Sequence, residues 1–522
     1  MNTIIAILPI VILIILMTKK KNVSSYIALP IVALLLYVLQ IFYFKSDFTL
    51  MNATVINGLL TAWTPILVIW GAIFLFQSME NTGAMKVIRE SLNGITKNKV
   101  AQLMIVGWAF AFLIEGASGF GTPAALAAPI LVGLGFKPIR VAILALVMNS
   151  VPVTFGAVGI PTWFGLGQLN LSNPELLLIG YKSAIIHSVA ALIIPIIALK
   201  FVVGWKEIKS NLIYIYLSIF SCIVPYLIIA HSSYEFPSIA GGAIGLVLSI
   251  GFAKWGIGLK KENTKSTVPF ASFIKASFPL WGVVLVLVIT RLNELGIKQI
   301  LTSTAHTLEL GLQPFANLSI SSALVIQLKN ILGTSSSWSH QLLYVPSIIP
   351  FFLIVFISFL IFKSPDGVVK KSWLDSWNRI KKPIIALLGA LVFVKLLMVG
   401  GEKSLAMLIG GSLADITGGT WKYFASYLGA LGAFFAGSNT ISNLTFGGIQ
   451  AAIAESSNLN LTTILAMQSV GGAMGNMVCI NNIVAVCAVL GITQKEGYIL
   501  KRTIWPMLLY GVIAGVIGIF LN

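Results

Sequence analysis

Apolar runs of roughly 17 to 25 residues, the length that crosses a bilayer as helix, recur from one end of the chain to the other, and short polar joints between them hold most of the lysines and arginines. The pattern predicts plain membrane spans near 2–17, 26–44, 50–78, 182–203, 211–230, 237–257, 279–295, 343–362, 383–400 and 503–521. Four further apolar stretches are interrupted. Segments 100–136 and 421–458 each hold a polar, glycine-bearing centre and begin and end on one side, which predicts two hairpins. Segments 141–163 and 461–490 pass through "PVTFGAVGIPTW" and "GGAMGNMVCINN", where proline and glycine disfavour a continuous helix. A weaker apolar piece at 314–332 has no clear place, and 363–382, rich in Lys, Arg and Trp, predicts a loop with an interfacial helix.

Charge orients these segments. Lys19, Lys20 and Lys21 fall on the cytoplasmic side by the positive-inside bias, and so do Lys97, Lys99, Lys137, Arg140 and the "KKENTK" stretch. Followed through, the bias places both termini outside and brings the two hairpins in from opposite faces. One order, a span, a connection, a hairpin and a broken span, then occurs twice, in 1–260 and in 261–522. Gly119 to Gly156 spans 37 positions, and so does Ser438 to Gly475. The expected fold is therefore an all-α polytopic membrane protein, an inverted-repeat secondary transporter with two opposed hairpins and two broken transmembrane helices.

Composition agrees. Of 522 residues, 57% are hydrophobic and 10% charged, against about 25% charged in soluble domains. The net charge of +18 is distributed as topology demands and does not mark nucleic-acid binding. Cys222, Cys479 and Cys487 lie in apolar surroundings without metal-ligand spacing, which argues against a disulfide framework and a zinc site. No phosphate loop or H-E-x-x-H appears. An enzyme is disfavoured on these grounds, and opposed hairpins favour alternating occlusion over a channel.

The candidate chemistry sits at the interruptions. In "EGASGFGTPAAL", Glu115 places a carboxylate inside an apolar run, an expensive choice that marks a functional group by default. It is the candidate proton-coupling residue. Ser118, Gly119, Gly121 and Thr122 in the first tip offer short neutral donors, as do Ser438, Asn439, Thr440, Ser442 and Asn443 in the second, with Asn476 in the second broken span. Such groups suit a small carboxylate bearing a hydroxyl, although Ser, Thr and Asn also cap helix ends. His187, inside a span, reads as packing or as a weak relay candidate, and the other histidines as loop residues.

At "FLIEGASGFGTPAALAAPILVGLGFKP" with "VPVTFGAVGIP", and at "GSNTISNLTFGGIQAA" with "SVGGAMGNM", the chain resembles the L-lactate permease family of bacterial carriers over essentially its full length. The resemblance implies import of L-lactate, with D-lactate or glycolate, by proton symport across the cytoplasmic membrane. It implies no tightly bound cofactor or metal. The partners implied are the carboxylate, the proton and the lipid bilayer, with no nucleic acid and with homo-oligomerisation left open. Family members often carry Asp in the second tip and Lys in the following broken span, where this chain has Asn439 and Asn476. That paired loss raises the weight on Glu115 and keeps an alternative in view, a sodium-coupled carrier of another small mono- or dicarboxylate.

Overall fold

The computed structural model describes residues 2–18, 23–119, 122–259, 269–291, 295–345, 347–492 and 495–521. Among them eight helices are long and apolar enough to cross a membrane, or nine if a bent pair, Pro138–Met148 with Val151–Leu169, is one span. The chain divides into two compact units. One contains Met1–Ile88 and Phe270–Leu408, the other Arg89–Pro269 and Ile409–Asn522, so each takes a segment from either half of the sequence.

The first unit is organised by the helix Asp366–Met398, 33 residues long. The expected interfacial loop at 363–382 and the expected span at 383–400 are mostly one continuous helix, a correction to the sequence reading. Pro383 lies inside it and does not end it. The helix packs on Ser25–Phe42 and Trp63–Asn81. Gln40 donates through Nε2 to the Leu396 carbonyl at 2.8 Å, and Asn81 donates through Nδ2 to Asp375 at 3.2 Å. Trp70, Phe74, Phe352 and Trp373 form an aromatic cluster between these elements.

The unplaced piece near 314–332 is a second correction. It belongs to a four-stranded antiparallel sheet in sequential order, β1 Leu308–Leu312, β2 Ala316–Ile320, β3 Val325–Lys329 and β4 Trp338–Gln341, so the fold is mostly helical and not all-α. Leu310 pairs with Leu318 and Leu318 with Leu328. In β1 and β2 the apolar residues fall at every second position, the side-chain period of a strand. His340, expected in a loop, sits in β4, where its Nδ1 lies 2.7 Å from the Thr64 hydroxyl.

The second unit holds the interrupted segments. Its helices are labelled in chain order: α1 Ala111–Ser118, α2 Thr122–Gly133, α3 Pro138–Met148, α4 Gly156–Trp163, α5 Asn173–Ala191, α6 Leu212–Ala230, α7 Pro237–Trp255, α8 Ala425–Ala436, α9 Asn439–Ser456, α10 Leu461–Gly475, α11 Ile480–Val489 and α12 Glu496–Phe520. The arm leading into α1, Lys99–Ala117, is 94% buried, whereas α6 and α7 are each 44% buried. This arm is thus an interior element, whereas more than half of the α6 and α7 residues are at least partly accessible. Small residues seat α8 closely against α10, where a methyl at Gly475 would come within 2.5 Å of the Ala430 carbonyl.

Candidate functional site

The first tip lies between α1 and α2. Gly119 ends α1 with φ +62°, a left-handed value that suits glycine, and its amide donates to the Glu115 carbonyl at 2.9 Å. Of the predicted contacts, Gly121 and the side chains of Ser118 and Thr122 lie outside the described residues, as does the neighbouring Phe120, so these three contacts are not placed.

The first break joins α3 to α4 through a short 3₁₀ turn, Val151–Phe155. Ala157, Val158 and Gly159 then take φ of 47°, 59° and 73°. A β-branched residue in that region is a genuine outlier, and such strain persists only where its surroundings enforce it. Gly159 can have no substitute with a Cβ, because that atom would fall on the Tyr234 carbonyl.

A broken helix frees carbonyls that lipid cannot satisfy, and here side chains take them up. Tyr226 donates to Val151 O at 3.4 Å and Ser238 to Pro152 O at 2.7 Å. Thr162 donates to Thr154 O at 3.0 Å, and the Trp163 indole to Val158 O at 2.9 Å. Asn443, on α9, donates through Nδ2 to Pro161 O at 2.9 Å.

The second tip is Gly437 and Ser438, with Ser438 capping α9 by accepting from the Ile441 amide at 3.4 Å. The second break is a single 3₁₀ turn, Asn476–Val478, between α10 and α11.

Both tips and both breaks line one cavity. Glu115, Gly119, Gly156 and Pro161 meet Ser438, Asn439, Thr440 and Asn476 around it, together with Val153 and Ala157. Its open core is about 10 Å³, space for about one water. Glu115 is the only ionisable side chain among these lining residues. It is 2% exposed, its Oε2 accepts from Asn149 Nδ2 at 3.0 Å, and a methyl on Gly156 would come within 2.6 Å of its Oε1. Among the described residues no group of three or more His, Cys, Asp and Glu could hold a metal ion.

Two predicted contacts turn elsewhere. The Ser442 hydroxyl donates to the Gly429 carbonyl at 2.7 Å, and Asn443 bonds to Pro161 and to Ser469 Oγ at 3.2 Å. Asn439 lines the cavity, yet its Oδ1 is buried without a hydrogen-bond partner, against Gly472 of α10.

Sequence reasoning did not single out Asn149, Thr154, Gln468, Ser469 or Tyr510. Ser469 donates to Thr154 Oγ1 at 3.3 Å, Thr154 lies 2.7 Å from His187 Nε2, and His187 Nδ1 meets the Tyr510 hydroxyl. A polar chain therefore runs from α9 and α10 through the first break to α5 and α12. The available signal was an amide or hydroxyl inside an apolar run, as at Asn149 and Gln468.

Many apolar spans, hairpins held in the interior and interruptions gathered on a buried polar cleft define the class: a multi-pass membrane transporter. The L-lactate permease model matches residues 2–522. The chain is 50% identical over 524 residues to a "Putative L-lactate permease" of Haemophilus influenzae, covering 100% of this chain and 98% of that protein. It is 25% identical to "Glycolate permease GlcA" and 26% identical to "L-lactate permease", both of Escherichia coli, each over 99% of this chain and 95% of the relative. The chain belongs to the L-lactate permease family.

Proposed function

We propose that this chain imports L-lactate together with a proton across the bacterial cytoplasmic membrane, with D-lactate or glycolate as a further substrate. One observation carries the reading: four interruptions from separate parts of the second unit line a single small cavity, and Glu115 is the only ionisable group among its described lining residues. The substrate classes in the names of the similar permeases point the same way.

The described residues around the cavity include no cation. A 2-hydroxycarboxylate entering beside ionised Glu115 would put two negative charges into a space largely closed to water, which a shared proton avoids. Proton and anion therefore travel as a neutral pair. Ser438 and Thr440 supply donors for the substrate carboxylate, and Asn476 adds a side-chain amide. Asn439, on the cavity wall, accepts a hydrogen bond from the 2-hydroxyl once the tips separate, while Ser442 and Asn443 brace the tip. Ser118, Gly119, Gly121 and Thr122 complete the site from the first tip.

The cavity core is far too small for lactate, so loading requires the tips to separate. In this reading the two halves, 1–260 and 261–522, are inverted repeats whose hairpins enter from opposite faces, and separation on alternate sides gives alternating access. Both termini lie outside, which single-cysteine labelling at either end would test.

Uptake of labelled L-lactate into proteoliposomes under imposed gradients tests the chemistry. A proton gradient should drive accumulation, a sodium gradient should not, and glycolate should compete while succinate does not. Accumulation driven by sodium alone, or strong competition by succinate, would contradict the proposal.

A further inference from the structure

Away from the cavity, the second unit carries a basic cleft to which nothing above assigns a role. Two adjoining hollows of about 630 and 210 Å³ share Arg140, Val202, Val203 and Glu207. Lys99, Lys137, Arg140, Lys200 and Arg502 line them, against the single acid Glu207. That acid is engaged, its Oε2 accepting from the Gly204 amide at 2.9 Å. The excess of positive charge is therefore not neutralised within the cleft.

The walls are of two kinds. Ile139, Ile143 and Phe201 make an apolar flank beside the cations. Tyr498 and Trp205 stand at the rim, 44% and 50% exposed. The Arg502 guanidinium lies 4.8 Å from the Tyr498 ring centroid, and Lys200 Nζ 5.4 Å from that of Trp205. Aromatic rings and basic side chains together mark the headgroup level of a bilayer. A small soluble anion has no use for the apolar flank, whereas a phospholipid presents a phosphate and acyl chains side by side.

We propose that this cleft binds the phosphate of an anionic phospholipid, with Arg140 and Arg502 as its principal ligands and the acyl chains against Ile139, Ile143 and Phe201. Native mass spectrometry of the purified full-length chain, titrated with phosphatidylglycerol and separately with phosphatidylcholine, tests it. Retention of phosphatidylglycerol over phosphatidylcholine is expected, with binding about 25-fold weaker in R140Q/R502Q, since each basic group near the surface is worth about fivefold. K209Q/K254Q, which removes equal charge from this unit outside the cleft, should bind as the parent does. Melting temperatures identify a misfolded variant, and in that case R502Q alone should show the fivefold loss.

Equal binding by R140Q/R502Q and the parent, or equal losses in both double variants, would overturn the proposal. Displacement of the lipid by an equal concentration of inorganic phosphate would overturn the lipid as occupant and assign the cleft to a soluble phosphate.

Discussion

The two breaks of the second unit differ in how they are held open. The first departs sharply from helical geometry, with three successive left-handed residues, Ala157 to Gly159, and its freed carbonyls are taken up by side chains from α4, α6, α7 and α9. The second is one turn of 3₁₀ helix at Asn476–Val478. The tips differ likewise, with Glu115 beside the first and only neutral groups at the second. Strain and the titratable group thus sit together in one half, where the surroundings fix the carboxylate's geometry. The other half contributes neutral lining groups and the bracing hydrogen bonds of Ser442 and Asn443.

That contrast sets the order of expected effects. Gly159→Ala should be the most damaging change, because it combines a left-handed φ, costing roughly 1–2 kcal/mol for an L-residue, with overlap on the Tyr234 carbonyl. Loss of monodisperse protein in size-exclusion chromatography is expected. A variant with parental yield and melting temperature would show that the break is not so constrained.

Glu115→Gln should come next, with folding retained and proton-driven accumulation of lactate abolished while lactate exchange persists. Uptake that keeps its dependence on pH would remove Glu115 from the coupling step. Asn443→Ala strips the Pro161 carbonyl of its donor, and leaving a buried acceptor unpaired costs about 1–3 kcal/mol. A drop in melting temperature should report it, and an unchanged one would mean that α9 does not brace the break.

The smallest effects separate the two kinds of hydroxyl in the second tip. Thr440→Val should raise the KM for lactate about fivefold, the worth of roughly one neutral hydrogen bond. Ser442→Ala should leave KM alone and cost about 1 kcal/mol of stability. The reverse pattern would exchange their roles.

Much of the membrane architecture was legible because span length and glycine or proline interruptions act locally. Helix pairs stand within 100–136 and 421–458, and the breaks near Gly156 and Asn476 stand close to their expected places. What was not legible depends on partners distant in sequence. Pro383 signals a helix start by itself, yet in the structure Asp366–Met398 runs through it. The strands Leu308–Leu312 and Ala316–Ile320 place apolar residues at alternate positions of a sheet, a pattern that averaged hydropathy blurs into a weak span. Ser442 and Asn443 share the chemistry of Ser438 and Asn439, and only the packing of α9 against α8, α10 and the first break shows which side chains face the cavity. The role of Asn149 follows from its contact with Glu115, 34 positions away.

The most direct measurement is a cryo-electron microscopy map of the chain reconstituted with lactate. Ligand density is expected between Glu115 and Gly119 on one side and Ser438, Thr440 and Asn476 on the other. Lactate density remote from these residues would contradict it.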